Sequence, residues 1–140
     1  MDVQYTAVAT SSGGRQGHVR SSDGVIDLDL SMPKELGGLG KPGTTNPEQL
    51  FPAGYAACFE NAILRAARER KVRLGGSSVT ASVGIGRQDD GFFHLRVALA
   101  VSLPGTERAH AEALARAAHE EICPYSRAVR GNVEVTVTVE

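Results

Sequence analysis

One segment, residues 46–71, constrains the fold more than any other, because it has the pattern of one long helix with an almost entirely apolar middle. Its start carries helix signals: Asn46 can cap a helix, Pro47 suits the first helical position, and Glu48 suits the positive end of the helix dipole. Residues 53–59 are all apolar or small, which predicts a turn that is buried on every side. The segment therefore predicts a helix that lies largely inside the core.

Two residues within this helix, Pro52 and Gly54, predict that it is kinked or split. Basic side chains collect near the end of the segment, at Arg65, Arg68 and Arg70. We expect the helix to leave the core there, where basic residues also suit the negative end of its dipole.

Strands are predicted on both sides of this helix. Before it, a short strand is predicted over residues 5–10, and the Asp-Gly pair at residues 23–24 is a hairpin signal that precedes an alternating run over residues 25–30. After it, residues 93–103 and 133–139 alternate between apolar and other side chains, which is typical of half-buried strands. A further strand with the same alternation is predicted from Val79, Ala81, Val83 and Ile85.

A second helix is predicted over residues 104–122, and it ends at Cys123 because the residue before Pro124 disfavours helical geometry. One stripe of this helix is apolar: Ala111, Leu114, Ala115, Ala118 and Ile122. Strands and helices come in blocks rather than in steady βαβ alternation, so the predicted fold class is α+β. A length of 140 residues predicts a single domain over residues 1–140.

Charge and hydropathy exclude several classes of partner. The formal net charge of −1 gives no field that would draw the chain to nucleic acid or to an anionic membrane. No apolar stretch approaches the roughly 20 residues of a membrane-spanning helix. Residues 1–12 have no basic start followed by an apolar run, so we expect no secretory signal and a cytoplasmic protein.

Cys58 and Cys123 are the only two cysteines and the first candidates for chemistry. A free cysteine in an apolar helix is more often a packing residue than a reactive one. In a reducing compartment, however, two isolated cysteines are more often catalytic or redox-active than joined in a permanent structural disulfide. The two thiols can form a reversible disulfide if their Cα atoms lie about 5.5 to 6 Å apart, which the sequence alone does not establish.

A nucleophilic thiolate needs a nearby positive charge, because free cysteine titrates near 8.5. The candidates are Arg15, His119, Arg127 and Arg130. His119 lies four residues before Cys123, so a Cys–His pair on one helix face is an alternative. Metal binding is not predicted, since the cysteines form no close ligand pair with any of the four histidines, His18, His94, His110 and His119.

Seven short blocks of sequence occur in the order and spacing of a known protein family. They are GGRQG (13–17), SSDGV (21–25), ELGG (35–38), TNPEQLFPAGYAACF (45–59), VGIG (83–86), SLPG (102–105) and CPYSRAVRGN (123–132). These blocks resemble the organic hydroperoxide resistance proteins, the Ohr branch of the Ohr/OsmC family. The resemblance extends from about residue 5 to residue 139 and is most specific around the two cysteines.

The resemblance implies a thiol-dependent peroxidase that reduces organic hydroperoxides to alcohols without a bound cofactor. It makes Cys58 the peroxidatic cysteine and Cys123 the resolving one. Arg15 matches the arginine that holds the peroxidatic thiolate, and Glu48 matches the glutamate that orients that arginine. It also implies that an external dithiol, typically a dihydrolipoyl group on a lipoylated protein, reduces the enzyme again.

The implied fold is an intertwined homodimer, in which N-terminal and C-terminal sheets surround a long central helix that carries the first cysteine. The apolar residues around Cys58 are then either core residues or the lining of a pocket that favours alkyl hydroperoxides. Those residues are Leu50, Phe51, Tyr55 and Phe59. Apart from the resemblance, the nearly all-apolar helix itself suggests a dimer that covers it.

Three alternatives to this function are open. The first is a peroxidase nearer the OsmC branch, with broader activity toward H2O2. The second is a thiol redox sensor or binding module of the same fold, in which the cysteine pair reports oxidation without rapid turnover. The third is a structural protein with two buried, unreactive cysteines.

Overall fold

A computed structural model describes all residues, Met1–Glu140, and the α+β class predicted from the sequence is confirmed. Two small sheets and one long helix account for most of the regular structure. The chain divides into two compact units, Met1–Leu50 and Phe51–Glu140. The single domain over residues 1–140 stays a prediction. None of the helices is long and apolar enough to cross a membrane.

The first unit contains a three-stranded antiparallel sheet with the strand order β1-β2-β3. Its strands are β1 (Ala9–Ser12), β2 (His18–Ser21) and β3 (Asp27–Asp29). The strand predicted over residues 5–10 begins later, because β1 extends only along the residues that pair with β2. The hairpin predicted at residues 23–24 is the connection between β2 and β3.

The long helix α1 spans Pro47–Glu69 and starts where the sequence predicts. The backbone N–H of Gln49 donates to the side-chain oxygen of Asn46 at 3.0 Å, so Asn46 caps the helix and Pro47 is its first residue. The predicted split does not occur, because α1 is one continuous helix that includes Pro52. A kink at this proline stays a prediction. Gly54 serves close packing instead, since a Cβ atom there would lie 3.3 Å from the hydroxyl of Tyr125.

The core face of α1 is narrower than predicted. Burial on every side is wrong for residues 53–59, because Ala53 and Ala57 are exposed while Tyr55 and Phe59 are completely buried. The helix thus packs through one stripe with helical spacing, as an amphipathic helix does. The buried residues of α1 are Tyr55, Phe59, Ala62, Ile63, Ala66 and Ala67.

The second unit contains a sheet with the strand order β4-β5-β6. Its strands are β4 (Ser78–Arg87), β5 (Phe93–Ser102) and β6 (Glu134–Val139). The first two strands pair antiparallel, whereas β5 and β6 pair parallel. The register sets Val83 opposite Val97 and Val97 opposite Val135, so the predicted alternation gives the sheet one apolar face.

The second predicted helix is shorter than expected and changes its geometry before it ends. Helix α2 spans Arg108–Ala117 and is followed by a π-helical turn over Ala118–Ile122. The backbone N–H of Cys123 closes this turn by donating to the carbonyl of Ala118 at 2.8 Å. A third helix, α3, begins at Pro124 and spans Pro124–Val129, and the sequence analysis did not anticipate it.

Candidate active site

The two cysteines lie side by side in the second unit, although 65 positions separate them in the sequence. The Sγ atoms of Cys58 and Cys123 are 3.5 Å apart, and both residues are free thiols. A disulfide bond is about 2.05 Å long, so a modest side-chain movement would join them. Cys123 is 2% exposed, whereas Cys58 keeps partial access to solvent. The more accessible thiol is therefore the better placed to meet a substrate.

Local sequence explains the position of Cys123. The residue before a proline is pushed out of helical geometry, and Cys123 has the extended dihedral angles φ −69° and ψ 117°. It lies between the π-helical turn and α3, and its Sγ accepts a hydrogen bond from the backbone N–H of Ser126 at 3.5 Å. The Cys-Pro pair thus turns a helix end into the place from which this thiol reaches Cys58.

The surroundings of Cys58 raise the pKa of its thiol. Burial is the largest cause that raises the pKa of Cys58, and the neighbouring Cys123 raises it further. The backbone N–H of Tyr125 acts in the opposite direction by hydrogen bonding to the Cys58 sulfur. The net effect is to raise the pKa of Cys58 above the ordinary value of a thiol, which already lies above neutral pH. Nucleophilic chemistry at neutral pH therefore requires a group that stabilises the thiolate.

Arg15 and Glu48 form a bidentate ion pair in the first unit. Arg15 donates from Nη1 to Oε2 of Glu48 and from Nη2 to Oε1, both at 2.7 Å. Two parallel charge-assisted hydrogen bonds fix the plane of the guanidinium group as well as its distance. The hydrogen bond from Arg15 is the main cause that lowers the pKa of Glu48, so this carboxylate stays charged at neutral pH.

A tight glycine turn supports Arg15. Arg15 is the middle residue of a 3-10 turn over Gly14–Gln16, and Gly13 before it has φ +72°. A Cβ atom on Gly17 would lie 1.8 Å from the carbonyl oxygen of Ser12, so only glycine fits there. The backbone of the turn thus sets the position from which the long side chain starts.

The other cationic candidates have different roles. His119 Nδ1 lies 3.1 Å from Ser126 Oγ, and burial, followed by the charge of Arg130, lowers the pKa of His119. The contact of His119 with Ser126, and not with Cys123, disfavours the Cys–His alternative. Arg130 donates to the carbonyl oxygens of His119 and Glu120 at 2.8 and 2.9 Å. Arg127 is exposed near the start of α3.

The remaining histidines pair with acidic residues. His18 lies between Asp27 and Asp29, at 2.6 and 2.8 Å. His94 and His110 each contact one carboxylate, that of Asp90 at 2.7 Å and that of Glu107 at 3.4 Å respectively. No group of three or more His, Cys, Asp or Glu side chains is arranged to hold a metal ion.

The four residues suggested as a substrate pocket differ in exposure. Tyr55 and Phe59 have no exposed surface and belong to the core of the second unit. Phe51 is partly buried and packs against this core, with its ring 5.9 Å from that of Tyr55. Leu50, the last residue of the first unit, is also partly buried. Only Leu50 and Phe51 thus offer surface that a substrate could contact.

The sequence analysis missed a buried hydroxyl pair next to the cysteines. The Oη atom of Tyr55 lies 2.8 Å from Oγ of Ser126, and both residues are completely buried. Because 71 positions separate the two residues, no local pattern identifies the contact. The only signal was the closeness of Ser126 to Cys123 in the sequence.

Comparison with known proteins gives consistent results. A profile of the OsmC-like protein family matches residues 40–138. The organic hydroperoxide resistance protein of Xanthomonas axonopodis pv. citri is 51% identical over 98% of this chain and 95% of its own length. A crystal structure of an organic hydroperoxide resistance protein from Legionella pneumophila has a TM-score of 0.93 and 50% identity, and the match covers 99% of each chain.

A second solved structure contains a bound molecule. It is an organic hydroperoxide resistance protein from Vibrio cholerae, with captopril bound in one of its active sites. It has a TM-score of 0.90 and 52% identity, and the match covers 99% of this chain and 94% of the other.

Proposed function

The chain belongs to the OsmC-like protein family, on the branch of the organic hydroperoxide resistance proteins, which are cysteine-based peroxidases, and we propose that its cysteine pair reduces organic hydroperoxides to alcohols. The observation that carries the proposal is the 3.5 Å contact between the thiols of Cys58 and Cys123, one partly accessible and one buried. Neither packing nor metal binding requires two free thiols to be so close.

The proposed reaction has two covalent steps. The thiolate of Cys58 attacks the distal oxygen of the hydroperoxide, the O–O bond breaks, and the alkoxide takes a proton to leave as the alcohol. Cys58 is then a sulfenic acid. The sulfur of Cys123 attacks it, an S–S bond replaces the S–O bond, and water leaves. The disulfide protects Cys58 from irreversible overoxidation.

We assign to Arg15 the stabilisation of the Cys58 thiolate and of the charge that develops on the peroxide oxygens. Two facts support this role. Burial raises the pKa of Cys58, so a positive charge is needed to favour the thiolate. The bidentate pair with Glu48 fixes the guanidinium group at the end of the long Arg15 side chain, which the backbone of the turn alone would not orient.

The proposed substrate carries an alkyl or fatty-acyl group. Phe51 and Leu50 are the candidates for contact with this group, since both are apolar and only partly buried. Burying an alkyl chain against such side chains yields about 25 cal/mol per Å², which H2O2 cannot gain. Tyr55 and Phe59 are completely buried in the core and are not proposed to contact the substrate.

The proposed reductant is a dithiol, for which a dihydrolipoyl group on a lipoylated protein is the leading candidate. A dithiol that attacks the Cys58–Cys123 disulfide forms a mixed disulfide, and its second thiol then releases the protein in the reduced form. The cytoplasm, where thiols are kept reduced, is the proposed location.

Peroxide consumption by the purified, reduced protein tests the function. An alkyl hydroperoxide and H2O2 are compared with dihydrolipoamide as the reductant, and Cys58→Ser is the control. We expect rapid turnover of the organic peroxide by the wild type and none by the variant. Turnover by Cys58→Ser would refute the assignment, and faster consumption of H2O2 would favour the OsmC-like alternative.

One observation favours a second candidate function, a thiol redox sensor. Burial raises the pKa of Cys58, and a raised pKa disfavours the rapid attack on peroxide that fast turnover requires. A sensor would form the disulfide once but would not cycle with dihydrolipoamide. The same assay therefore separates the two functions.

We also propose that the protein is a homodimer. Ala53 and Ala57 leave an apolar side of α1 exposed. The first unit likewise exposes large apolar side chains: Val3, Tyr5, Val8, Val25, Ile26 and Leu28. A second copy that covers such surfaces would remove them from water. Light scattering coupled to size-exclusion chromatography should give twice the mass of one chain, and a clean monomer at micromolar concentration would contradict the proposal.

A further inference from the structure

We propose that the hydroxyl group of Ser126, held between Tyr55 and His119, is the positioning group for disulfide formation. In this role it keeps Cys123 within reach of Cys58 while the sulfenic acid is resolved. The inference rests on the proposed peroxidase function and adds three residues to it that neither cysteine chemistry nor the ion pair requires. None of the three residues is itself a nucleophile in the reaction.

The hydroxyl of Ser126 is the centre of a small buried network. Its Oγ lies 2.8 Å from Oη of Tyr55 and 3.1 Å from Nδ1 of His119. Ser126 and Tyr55 are completely buried, and His119 is partly buried. Buried polar groups are costly unless they are hydrogen-bonded, so a network with both hydroxyls paired resists displacement.

The number of protons and acceptors determines which atom donates in each hydrogen bond of the network. A buried tyrosine O–H needs an acceptor, and the available one is Oγ of Ser126. The proton of Ser126 then goes to Nδ1 of His119, which accepts only if the imidazole is neutral with its proton on Nε2. If Nδ1 carried the proton, one of the two buried hydroxyl protons would have no acceptor. The lowered pKa of His119 agrees with the neutral form.

The network joins the segments that carry the two cysteines. Tyr55 is on α1, one turn before Cys58, and their side chains therefore lie on neighbouring parts of the same helix. Ser126 is on α3, and its backbone N–H donates to Sγ of Cys123 at 3.5 Å. The hydroxyl contact between Tyr55 and Ser126 thus fixes the segment that bears one sulfur against the helix that bears the other.

The position of Tyr55 is fixed independently of this contact. Its ring packs against those of Phe51 and Phe59 on the same helix, with centroid distances of 5.9 and 6.3 Å, and these two contacts do not involve α3. A hydrogen bond to such a rigid ring therefore positions Ser126 rather than the reverse. This is why the Tyr55 hydroxyl, and not only its ring, is expected to matter for the reaction.

The step that the network serves is the second covalent step. The thiol of Cys123 loses its proton, its sulfur attacks the sulfenic sulfur of Cys58, and the hydroxide that leaves becomes water by taking up a proton. The distance of 3.5 Å between the two sulfurs must shorten to about 2.05 Å. Losing the anchor at Ser126 should widen the range of positions that Cys123 samples and slow this step.

The test separates the two covalent steps in Ser126→Ala and Tyr55→Phe. Reduced protein is mixed with one equivalent of an alkyl hydroperoxide, and peroxide loss, trapped sulfenic acid and disulfide are followed over time. We expect peroxide loss within about twofold of the wild-type rate and disulfide formation about tenfold slower in Ser126→Ala, which removes both hydrogen bonds of this buried hydroxyl. Tyr55→Phe, which removes only a hydroxyl, should show the same pattern to a smaller extent.

Two further variants distinguish positioning from general loosening. Ile63→Val removes one methyl group from a completely buried site on the same helix, and it should leave disulfide formation at the wild-type rate. The double variant Tyr55→Phe/Ser126→Ala should resolve no more slowly than Ser126→Ala, because the two hydroxyls act as one unit.

The possible outcomes each decide something. A wild-type rate of disulfide formation in both Ser126→Ala and Tyr55→Phe would overturn the inference while leaving the peroxidase function intact. Equal slowing in Ile63→Val would overturn it too, since the effect would then be one of core stability. A wild-type protein that consumes no peroxide would overturn the proposed function and this inference with it.

Discussion

The Arg15–Glu48 pair and the Cys58–Cys123 pair are built in opposite ways. The ion pair consists of charged groups, and Arg15 keeps 36% of its side chain exposed. The cysteine pair is neutral and lies among the packed side chains of the second unit, where Cys123 is 2% exposed. Two hydrogen bonds of 2.7 Å fix the first pair, whereas packing and backbone geometry fix the second.

Because of this difference, the two pairs should respond differently to substitution. An ion pair that is only partly buried adds modestly to stability, so its loss should change function more than stability. A thiol in a packed core depends on the volume of its neighbours, so its function and its stability are linked. Substitutions in each pair and a change of pH test this contrast.

The largest effect is expected from Cys123→Ser. Without the second thiol the sulfenic acid on Cys58 cannot be resolved within the chain, so catalytic cycling should be lost completely. One equivalent of peroxide per site should still be consumed, because the attacking thiol remains. Stoichiometric peroxide titration, followed by a cycling assay with dihydrolipoamide, checks both parts. Sustained cycling by this variant would reject the resolving role of Cys123.

A smaller effect is expected from Arg15→Ala. Peroxide attack should slow about 100-fold, the size typical for the loss of one group that stabilises developing charge. Stability should fall by only about 1 to 2 kcal/mol, because Arg15 is partly exposed although Glu48 is largely buried. Stopped-flow kinetics and thermal unfolding measure the two quantities.

Arg20→Ala is the matched control for this variant. Arg20 belongs to the same unit, is 64% exposed and also contacts a carboxylate, that of Asp27 at 3.6 Å. It should retain the wild-type rate of peroxide attack. Comparable losses of rate and stability in Arg15→Ala would identify Arg15 as a structural arginine.

The smallest effect is the dependence of stability on pH. Burial lowers the pKa of His119, so its neutral form stabilises the fold fully above its ordinary value of 6.5, and this contribution is lost as pH falls. The hydrogen bond from Arg15 lowers the pKa of Glu48, so its contribution is present above the ordinary value of 4.5 and is lost as pH falls further. On acidification, the stabilising contribution of His119 should therefore be lost at a higher pH than that of Glu48.

Urea unfolding between pH 7.5 and 4 measures these contributions when the wild type is compared with His119→Asn and Glu48→Gln. The first variant should remove the loss that begins near pH 6.5, and the second the loss that begins below 4.5. Variants are needed because the stabilising contribution of His18 changes with pH in the opposite direction. Hydrogen bonds to Asp29 and Asp27 raise the pKa of His18, so its contribution is lost as pH rises. Profiles identical to that of the wild type would contradict the assignment.

The sequence predicted those parts of the fold that local patterns control. The cap at Asn46, the first helical residue Pro47 and the alternation in β4, β5 and β6 depend on neighbours in the chain. The packing role of Gly54 was not predicted, because it depends on the ring of Tyr125, which lies far away in the sequence. The one-sided burial of α1 was not predicted either, because composition does not reveal which face of a helix packs against the core.

The candidate site was less predictable from local patterns. Arg15 and Glu48 are 33 positions apart, and no periodicity pairs them. The resemblance to a known family pointed to both pairs, but it gave no sign of the network around Ser126. That network depends on three segments that meet only in the folded chain.

The π-helical turn over Ala118–Ile122 rotates the residues that follow it about the helix axis, compared with a continuous α-helix. It holds one residue more than an α-helical turn, and one residue corresponds to about 100° of rotation about the helix axis. Everything after it, including Cys123 and the start of α3, therefore faces a direction that an uninterrupted α2 would not give. Deleting one residue from this turn would keep every chemical group of the site while rotating the second thiol away from the first.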